Sequence, residues 1–331
     1  MLVAGRRRLR PAPALAGASV ALLAAAVIAV SLGAVHLALG EVVAGLFDSG
    51  DDATRRIVWQ LRVPRVLTAG LVGAHLGVAG ALLQGVTRNP LADPHILGFS
   101  SGAGLVAVAL VVWAPGAPGT LAPAGAFAGS LLSAAVVYAL AWRGGISPVR
   151  FALSGVAVAA LFTALSAAAI SLSDLFTQAA LSFLVGGLLG TGWDDPTRVA
   201  PYTAAGAIAA VALARSLNVL ALGDDVARGL GMRVERVRLG AIAAAAALTG
   251  SAVAVSGILA FVGLVAPHAA RLLVGGDHRL VLPLSGLLGA TVLVLADTVA
   301  RTVWAPAEIP AGIVTAIVGA PVLLILIRTR T

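Results

Sequence analysis

Arg215-Ser-Leu-Asn-Val-Leu-Ala-Leu-Gly-Asp-Asp-Val-Ala-Arg-Gly-Leu-Gly-Met-Arg-Val-Glu-Arg-Val-Arg238 interrupts two long apolar tracts, and eight of its 24 residues are charged. Gly223 and Gly231 bracket one or two helical turns, and Asp224 and Asp225 fall where a helix N-terminus favours anions. Two readings are open for such a stretch. One is a solvated loop between helices. The other is a docking surface for a soluble partner on one side of a membrane.

The surrounding tracts decide the fold class. The chain has 331 residues, 60% of them hydrophobic and 11% charged. Several tracts exceed the length that crosses a bilayer, so the chain reads as an all-α polytopic membrane protein. A transmembrane barrel would need polar–apolar alternation, which is absent. The 39 glycines suit helices that pack closely in lipid through small residues. Without cysteine, disulfides, thiolate catalysis and cysteine metal sites are excluded. Without lysine, all 22 basic residues are arginine, and a P-loop lacks the residue that reaches its phosphates. Any ATP hydrolysis therefore belongs to another polypeptide.

About ten spans are expected. The first covers residues 13–39, behind Arg6, Arg7, Arg8 and Arg10, and is too long for a signal-peptide core. A polar loop to Gln60 follows. The second span runs from about Arg62 to Gln84, with Pro64 in its first turn. Pro90 and Pro94 cannot share one regular helix, so a tight reversal leads to the third span, about His95 to Trp113. Pro115 opens a turn, the fourth span ends near Trp142, and the fifth covers about Phe151 to Leu172. Residues 174–190 are apolar but short and broken by Gly186 and Gly187, which predicts a half-helix that does not cross. The sixth span ends near Arg215. The seventh is about Leu239 to Ser256, the eighth ends near Leu273, the ninth covers about Leu280 to Thr302, and the tenth ends at Ile327.

Ten crossings put both termini on one side. That side then carries 16 arginines (among them Arg88, Arg143, Arg150, Arg271, Arg279, Arg328 and Arg330) and the other only Arg55, Arg56, Arg62, Arg65, Arg198 and Arg301. The positive-inside rule thus places both termini and residues 216–238 in the cytoplasm. Acidic residues lean the other way, including Asp48 and Asp174.

Five separated motifs, in order, resemble the permeases of iron-siderophore, haem and vitamin B12 ABC importers, the type II importers. They are Leu61-Arg62-Val63-Pro64-Arg65; Gln84-Gly85 through Arg88-Asn89-Pro90-Leu91-Ala92-Asp93-Pro94 to Gly98-Phe99-Ser100-Ser101-Gly102; Leu222-Gly223-Asp224 with Leu230-Gly231; Gly263 through Pro267-His268 to Arg271; and Ala296-Asp297 to Arg301 with Glu308-Ile309-Pro310-Ala311-Gly312. The likeness covers about Gln60 to the C-terminus.

That resemblance implies one permease domain over residues 1–331, working as a homodimer in the bacterial cytoplasmic (inner) membrane. A pathway at the subunit interface would open by alternating access. Two ATP-binding cassette subunits, carrying ATP and magnesium, would dock on the cytoplasmic side. A periplasmic or lipid-anchored substrate-binding protein would dock outside. No cofactor or catalytic residue is implied for this chain, and no nucleic acid. The cargo class is an iron chelate, a ferric siderophore or haem, with cobalamin as the alternative.

Carried onto this sequence, the resemblance makes Leu222, Gly223, Asp224, Asp225, Arg228, Gly229, Leu230 and Gly231 the ATPase-coupling element. Arg62, Arg65 and Arg301 would meet acidic residues of the binding protein, setting register and on-rate; an internal Asp297–Arg301 pair at i,i+4 spacing is the other reading. Asn89 and Leu91, with Ser147, Pro148 and Val149, would close the inner mouth, or be simple turns. Pro148 stands where the family often has a small polar residue.

Phe151, Ser154, Val158, Phe162 and Leu165 recur at helical spacing on the fifth span, as pathway lining or as interhelical or lipid packing. His75, His95 and His268 show no metal-ligand spacing and read as packing or hydrogen-bonding residues. Asp297 reads as structural. An ion-coupled secondary transporter, the rival, would need charged groups at mid-membrane beside broken helices.

Overall fold

The computed structural model describes residues 10–33, 35, 37–47, 51–114, 116–172 and 177–328. Arg6, Arg7, Arg8, Asp48, Pro115, Asp174 and Arg330 lie outside them. The described secondary structure is helical, apart from one isolated bridge between Trp142 and Ile146. In chain order the helices are α1 (Pro11–Ser31), α2 (Leu39–Leu46), α3 (Asp52–Arg56), α4 (Val63–Thr87), α5 (Phe99–Trp113), α6 (Leu121–Ala141), α7 (Pro148–Ser171), α8 (Thr177–Val185), α9 (Asp194–Leu220), α10 (Asp224–Gly229), α11 (Val234–Ser256), α12 (Val262–Val274), α13 (His278–Thr302) and α14 (Ala311–Arg328).

Seven segments are long and apolar enough to cross a membrane: α1, the continuous rod Asp52–Thr87, α6, α7, α9, α11 and α13. Three shorter apolar helices, α5, α12 and α14, occupy the positions expected for spans three, eight and ten. The half-helix predicted over 174–190 is α8, of nine residues.

The rod through Asp52–Thr87 changes pitch once. Ile57–Arg62 is π-helical, and the Val63 N–H donates to Val58 O. Pro64 follows immediately. Its missing amide leaves Gln60 O without an α-helical donor, and its ring crowds that carbonyl, so the chain widens there by one residue.

Helix α1 stops at Ser31 rather than continuing to Leu39. The reason lies in two arginines. Arg62 Nη1 donates to Val30 O at 2.5 Å and Ser31 O at 2.9 Å, and Arg62 Nη2 to Val35 O. Arg301 Nη2 donates to Ala29 O. Ala29, Val30 and Ser31 O are terminal carbonyls that α1 leaves unsatisfied, at the negative end of its dipole. Gly33 makes room: a Cβ there would sit 3.0 Å from the Arg62 guanidinium.

Helix α4 is the axis of the packing, against α13, α11, α12 and α9. It approaches α13 backbone to backbone. A Cβ on Gly73 would fall onto Gly289 O, one on Gly289 onto Gly73 O, and one on Gly77 onto Ser285 O. Without competing solvent between lipid-embedded helices, such close contact is a main source of association. The main core fills the space around the far half of α4, with Leu82, Leu83, Phe99, Phe151, Leu217 and Leu282 fully enclosed.

Helix α8 is held by backbone bonds as well as by the packing of Ala180, Phe183 and Leu184. Gly187 N donates to Ser256 O at 2.8 Å, Ile258 N to Phe183 O at 3.0 Å, and Gly312 N to Gly186 O at 3.0 Å. Gly186 and Gly257 take positive φ, +70° and +64°, and their missing Cβ atoms let the three strands of chain touch.

Candidate functional site

The end of the bundle that carries α10 gathers three connections. These are the α4–α5 reversal, the α6–α7 turn and the 221–233 segment. Gly223, at φ +111°, turns the chain out of α9. Asp224 and Asp225 occupy the first turn of α10, as expected, and Gly231, at φ +80°, ends the excursion.

Asp224 organises the junction. Its two carboxylate oxygens each accept from Arg238 Nη2 at 2.9 Å, and Arg88 Nη2 pairs with Oδ1 at 3.0 Å. Arg228 adds a looser contact at 3.8 Å. Arg238 is 1% exposed. Its second terminal nitrogen, Nη1, donates to Ile146 O at 2.8 Å and to Glu235 Oε1 at 3.1 Å. Glu235 Oε1 in turn accepts from Ile146 N at 3.4 Å. A buried arginine is tolerable only when its charge is matched, and here two carboxylates and a carbonyl take up both terminal nitrogens, while Nε is buried without a partner among the described residues. One aspartate thus ties α10 to the residue before Asn89 and, through one arginine, to the residue before Ser147.

The five residues expected at the inner mouth occupy these two reversals. Arg88 takes the left-handed conformation at φ 51° and ends α4. Asn89 Oδ1 accepts from Leu91 N at 3.0 Å, closing an Asx turn. Pro148 is the first residue of α7, Ser147 its N-cap position, and Val149 is exposed. Behind them, Gln84 Nε2 donates to Ala92 O at 3.2 Å and Gly263 O at 3.3 Å, while Arg271 Nη1 donates to Gln84 Oε1. Motif residues far apart in sequence therefore meet at one place.

The outward face of α10 is apolar. Leu222, Val226 and Leu230 stand at i, i+4 and i+8, and are 64%, 49% and 66% exposed. Ala227, on the opposite face, is fully buried. Asp225 and Arg228, paired at 3.2 Å, flank the stripe.

The opposite end of the bundle holds the three arginines expected to dock a partner. Arg62 and Arg301 are each only 5% exposed, and their guanidiniums lie on the carbonyls that end α1. In this arrangement they close a helix end rather than present a charged rim. Arg65 is engaged from both sides: Nε and Nη2 meet Asp297 at 2.9 and 2.8 Å, and Nη1 meets Glu308 at 2.9 Å. Asp297, read from sequence as structural, is buried in that pair, and Arg301 Nε is 3.9 Å from it. Arg65 and Glu308 border a cavity of about 360 Å³ with Phe183, Leu188, Ser256 and Pro310.

Two further groups stand apart. Phe151 and Val158 lie inside the main core, with Phe162 packed against it and Ser154 half-buried. Of the readings open for these residues, Phe151 and Val158 take interhelical packing in this structure. The open face is Leu153, Val156, Leu161 and Leu165. The helical spacing from Phe151 to Phe162 marks the side turned to the neighbouring helices, chiefly α5 and α6, whereas Leu165 falls on the open face. His75 bridges three helices, with Nδ1 2.9 Å from Ser251 Oγ and Nε2 2.7 Å from Thr203 Oγ1.

Sequence reasoning missed Arg238, Glu235, Arg88 and Ile146 as members of the junction. An arginine as the fifth residue of a strongly apolar helix was a usable signal for Arg238, because such a charge demands a partner.

Residues 21–329 match the FecCD transport family. The chain is 40% identical to the Fe(3+)-citrate import system permease protein YfmE of Bacillus subtilis over 98% of its length and 97% of that protein. It is 42% identical to the cobalamin import system permease protein BtuC of Halobacterium salinarum, over 95% and 85%. Among solved structures, it superposes with a TM-score of 0.85 and 30% identity on a chain described as a metal-chelate type ABC transporter in an inward-facing conformation, covering 95% of this chain and 98% of that one.

Proposed function

We propose, on the premise that this chain belongs to the FecCD transport family, that it is the membrane-spanning half of an ATP-driven importer and carries an iron chelate into the cell. Members of that family are permease subunits, not enzymes, and this chain is a multi-pass membrane protein. The observation that carries the reading further is the α10 junction. An apolar stripe, Leu222, Val226 and Leu230, faces out of the bundle on a helix whose Asp224 is ion-paired to Arg88 and Arg238.

In this reading α10 seats in a cleft of an ATPase subunit. Closure of the ATPase dimer moves α10, and the Asp224–Arg238–Ile146 and Asp224–Arg88 links carry that displacement to the two reversals beside Asn89 and Ser147. The arginine bias supports a cytoplasmic α10 end. Ten crossings, with α5, α12 and α14 among them, put both termini on that side. The other end then faces a binding protein, and the Arg65–Glu308 pair at the mouth of its cavity is the charged group best placed to meet it. A second copy of the chain completes the pathway. Its contact surface includes the open face of α7.

The cargo is a ferric chelate of the citrate or hydroxamate kind. Two relatives from Bacillus subtilis with those substrates in their names are each 40% identical to this chain. Cobalamin is the second reading, favoured by the 42% identity to a cobalamin permease. The deciding experiment is uptake by vesicles holding this chain, its ATPase and its binding protein, given ferric citrate, a ferric hydroxamate, haem and cobalamin in turn. ATP-dependent accumulation of a ferric chelate supports the proposal. Accumulation without ATP, driven by an ion gradient, overturns it.

A further inference from the structure

A groove of about 640 Å³ runs along the flank of the bundle between α9 and α13, over α4. It is unrelated to the α10 stripe and to the cavity beside Arg65. Its walls are apolar: Ala207, Val211, Leu282 and Leu287 are among them. Ala207 and Val211 are exposed, so the groove opens sideways, into the space that lipid occupies around a multi-pass protein. One end is closed by the His75–Thr203 hydrogen bond. The other end carries Arg215 and Arg279, both exposed, and neither makes a side-chain hydrogen bond or ion pair among the described residues.

Length and charge together select an occupant. Thr203 and Arg215 are 12 residues apart on α9, which is about 18 Å of helix. One leaflet of hydrocarbon is about 15 Å deep. A fatty-acyl chain entering beside the arginines would therefore reach the closed end. Two guanidiniums at the mouth, neither hydrogen-bonded among the described residues and Arg279 lying in the field of the Asp277 carboxylate, match a phosphodiester, to which arginine bonds through parallel N–H donors. Alanines on the α9 wall leave the concavity that a chain fills. Arg279 is the second residue of α13, two after the N-cap Asp277, so its backbone is fixed by the helix start and not by a loose loop.

The geometry points to a binding site for one anionic phospholipid, its acyl chain along α9 and its phosphate between Arg215 and Arg279. This site stands on the membrane character of the chain alone and does not depend on cargo or on an ATPase partner.

The test uses the full chain, purified in mild detergent micelles doped with phosphatidylglycerol or with phosphatidylcholine of the same acyl chains. Lipid retained per protein is counted by native mass spectrometry, and the unfolding temperature is read in parallel. Phosphatidylglycerol should be retained roughly ten- to thirtyfold more strongly, the difference two arginines make to an anionic headgroup. Arg215→Gln with Arg279→Gln should abolish the preference and leave the unfolding temperature in phosphatidylcholine unchanged. Ala207→Phe, which fills the groove, should reduce retention of both lipids. Retained preference in the double glutamine variant overturns the site. So does full retention in Ala207→Phe, or equal stabilisation by inorganic phosphate, which would mean an anion site without a lipid chain.

Discussion

Asp224 and Arg238 lie 14 residues apart in sequence, and both carboxylate oxygens of the first sit 2.9 Å from one nitrogen of the second. The pair spans the excursion that carries α10, so it fixes that short helix to the start of α11. Arg238 also holds Ile146 O, which makes it the only described side chain to bond both α10 and the α6–α7 turn. Asp224→Asn keeps the shape but removes the charge, and should lower stability by about 1–3 kcal/mol. Arg238→Gln should cost about 3–5 kcal/mol because Asp224 and Glu235 lose their buried partner. A double-mutant cycle, read from urea or thermal unfolding in detergent, should show coupling of about 1–3 kcal/mol. Strict additivity would mean the two residues do not act together.

Arg65 makes the opposite kind of test. It is paired with Asp297 deep in α13 and with Glu308 nearer the surface. If the Asp297 pair is structural, Arg65→Met leaves the buried carboxylate with only the looser Arg301 contact and should destabilise by up to about 3–5 kcal/mol. Adding Asp297→Leu should recover most of that loss, since an apolar pair of similar volume can replace a buried ion pair. Glu308→Gln should change unfolding by less than about 1 kcal/mol. A single Arg65→Met variant with unchanged unfolding would assign Arg65 to the surface.

The contrast between Arg62 and Arg238 shows how far the sequence could be read. Apolar tract length was enough to place the long helices, because a tract that must cross hydrocarbon has few other options. Gly223 and Gly231 likewise marked the ends of α10, since both take positive φ. What an arginine near a helix end touches is a tertiary fact. Arg62 reaches carbonyls some 30 residues earlier, and Arg238 reaches back past a whole reversal to Ile146. The family resemblance gives Arg62 an outward role, and the sequence gives Arg238 none. Phe151 and Val158 make a related point. Periodicity identifies a face but not what the face meets, and in a lipid-embedded bundle the packed and open faces of a helix are equally apolar.

Gly70 and Gly73 are neighbours on α4 with opposite surroundings. A Cβ on Gly73 would overlap Gly289, whereas nothing lies within 4 Å of one on Gly70. Gly73→Ala should destabilise by about 1–3 kcal/mol through overpacking at the α4–α13 crossing. Gly70→Ala should stabilise, by up to about 1 kcal/mol, through lower backbone entropy in a helix interior. Thermal unfolding of both variants in the same detergent checks the pair. Equal shifts would show that helix propensity, and not close approach, governs this crossing.

Asp277 supplies a pH-dependent contribution outside the membrane-spanning segments. Its carboxylate accepts from Arg279 N at 3.0 Å and from Asn218 Nδ2 at 2.6 Å, and these bonds hold its pKa below the ordinary value of 3.8. A carboxyl with a depressed folded-state pKa adds stability above its unfolded value, and that share fades as pH falls through the folded one. Asp277→Ala should therefore cost about 1 kcal/mol at pH 7, the usual worth of an N-cap. At pH 3 and below the difference from the parent chain should shrink. A gap that stays constant from pH 7 to pH 3 would place the effect elsewhere than in the ionised carboxylate.

The exposed stripe on α10 separates folding from partnership. Leu222 and Leu230 are about two-thirds exposed, so Leu222→Asp with Leu230→Asp should leave unfolding within about 0.5 kcal/mol of the parent, as for other surface changes. A docked leucine is a different matter. Fully burying one against a partner is worth about 1.5–3 kcal/mol, and two charges forced into the same cleft would oppose binding further. Affinity for the ATPase should then fall at least about a hundredfold, read by co-purification and by titration in nanodiscs. Ala227→Asp is the informative comparison. That residue is buried against the bundle, so it should damage folding first and association only in consequence. If the double aspartate variant binds the ATPase as tightly as the parent, the apolar stripe is not the docking face, and the coupling role of α10 fails with it.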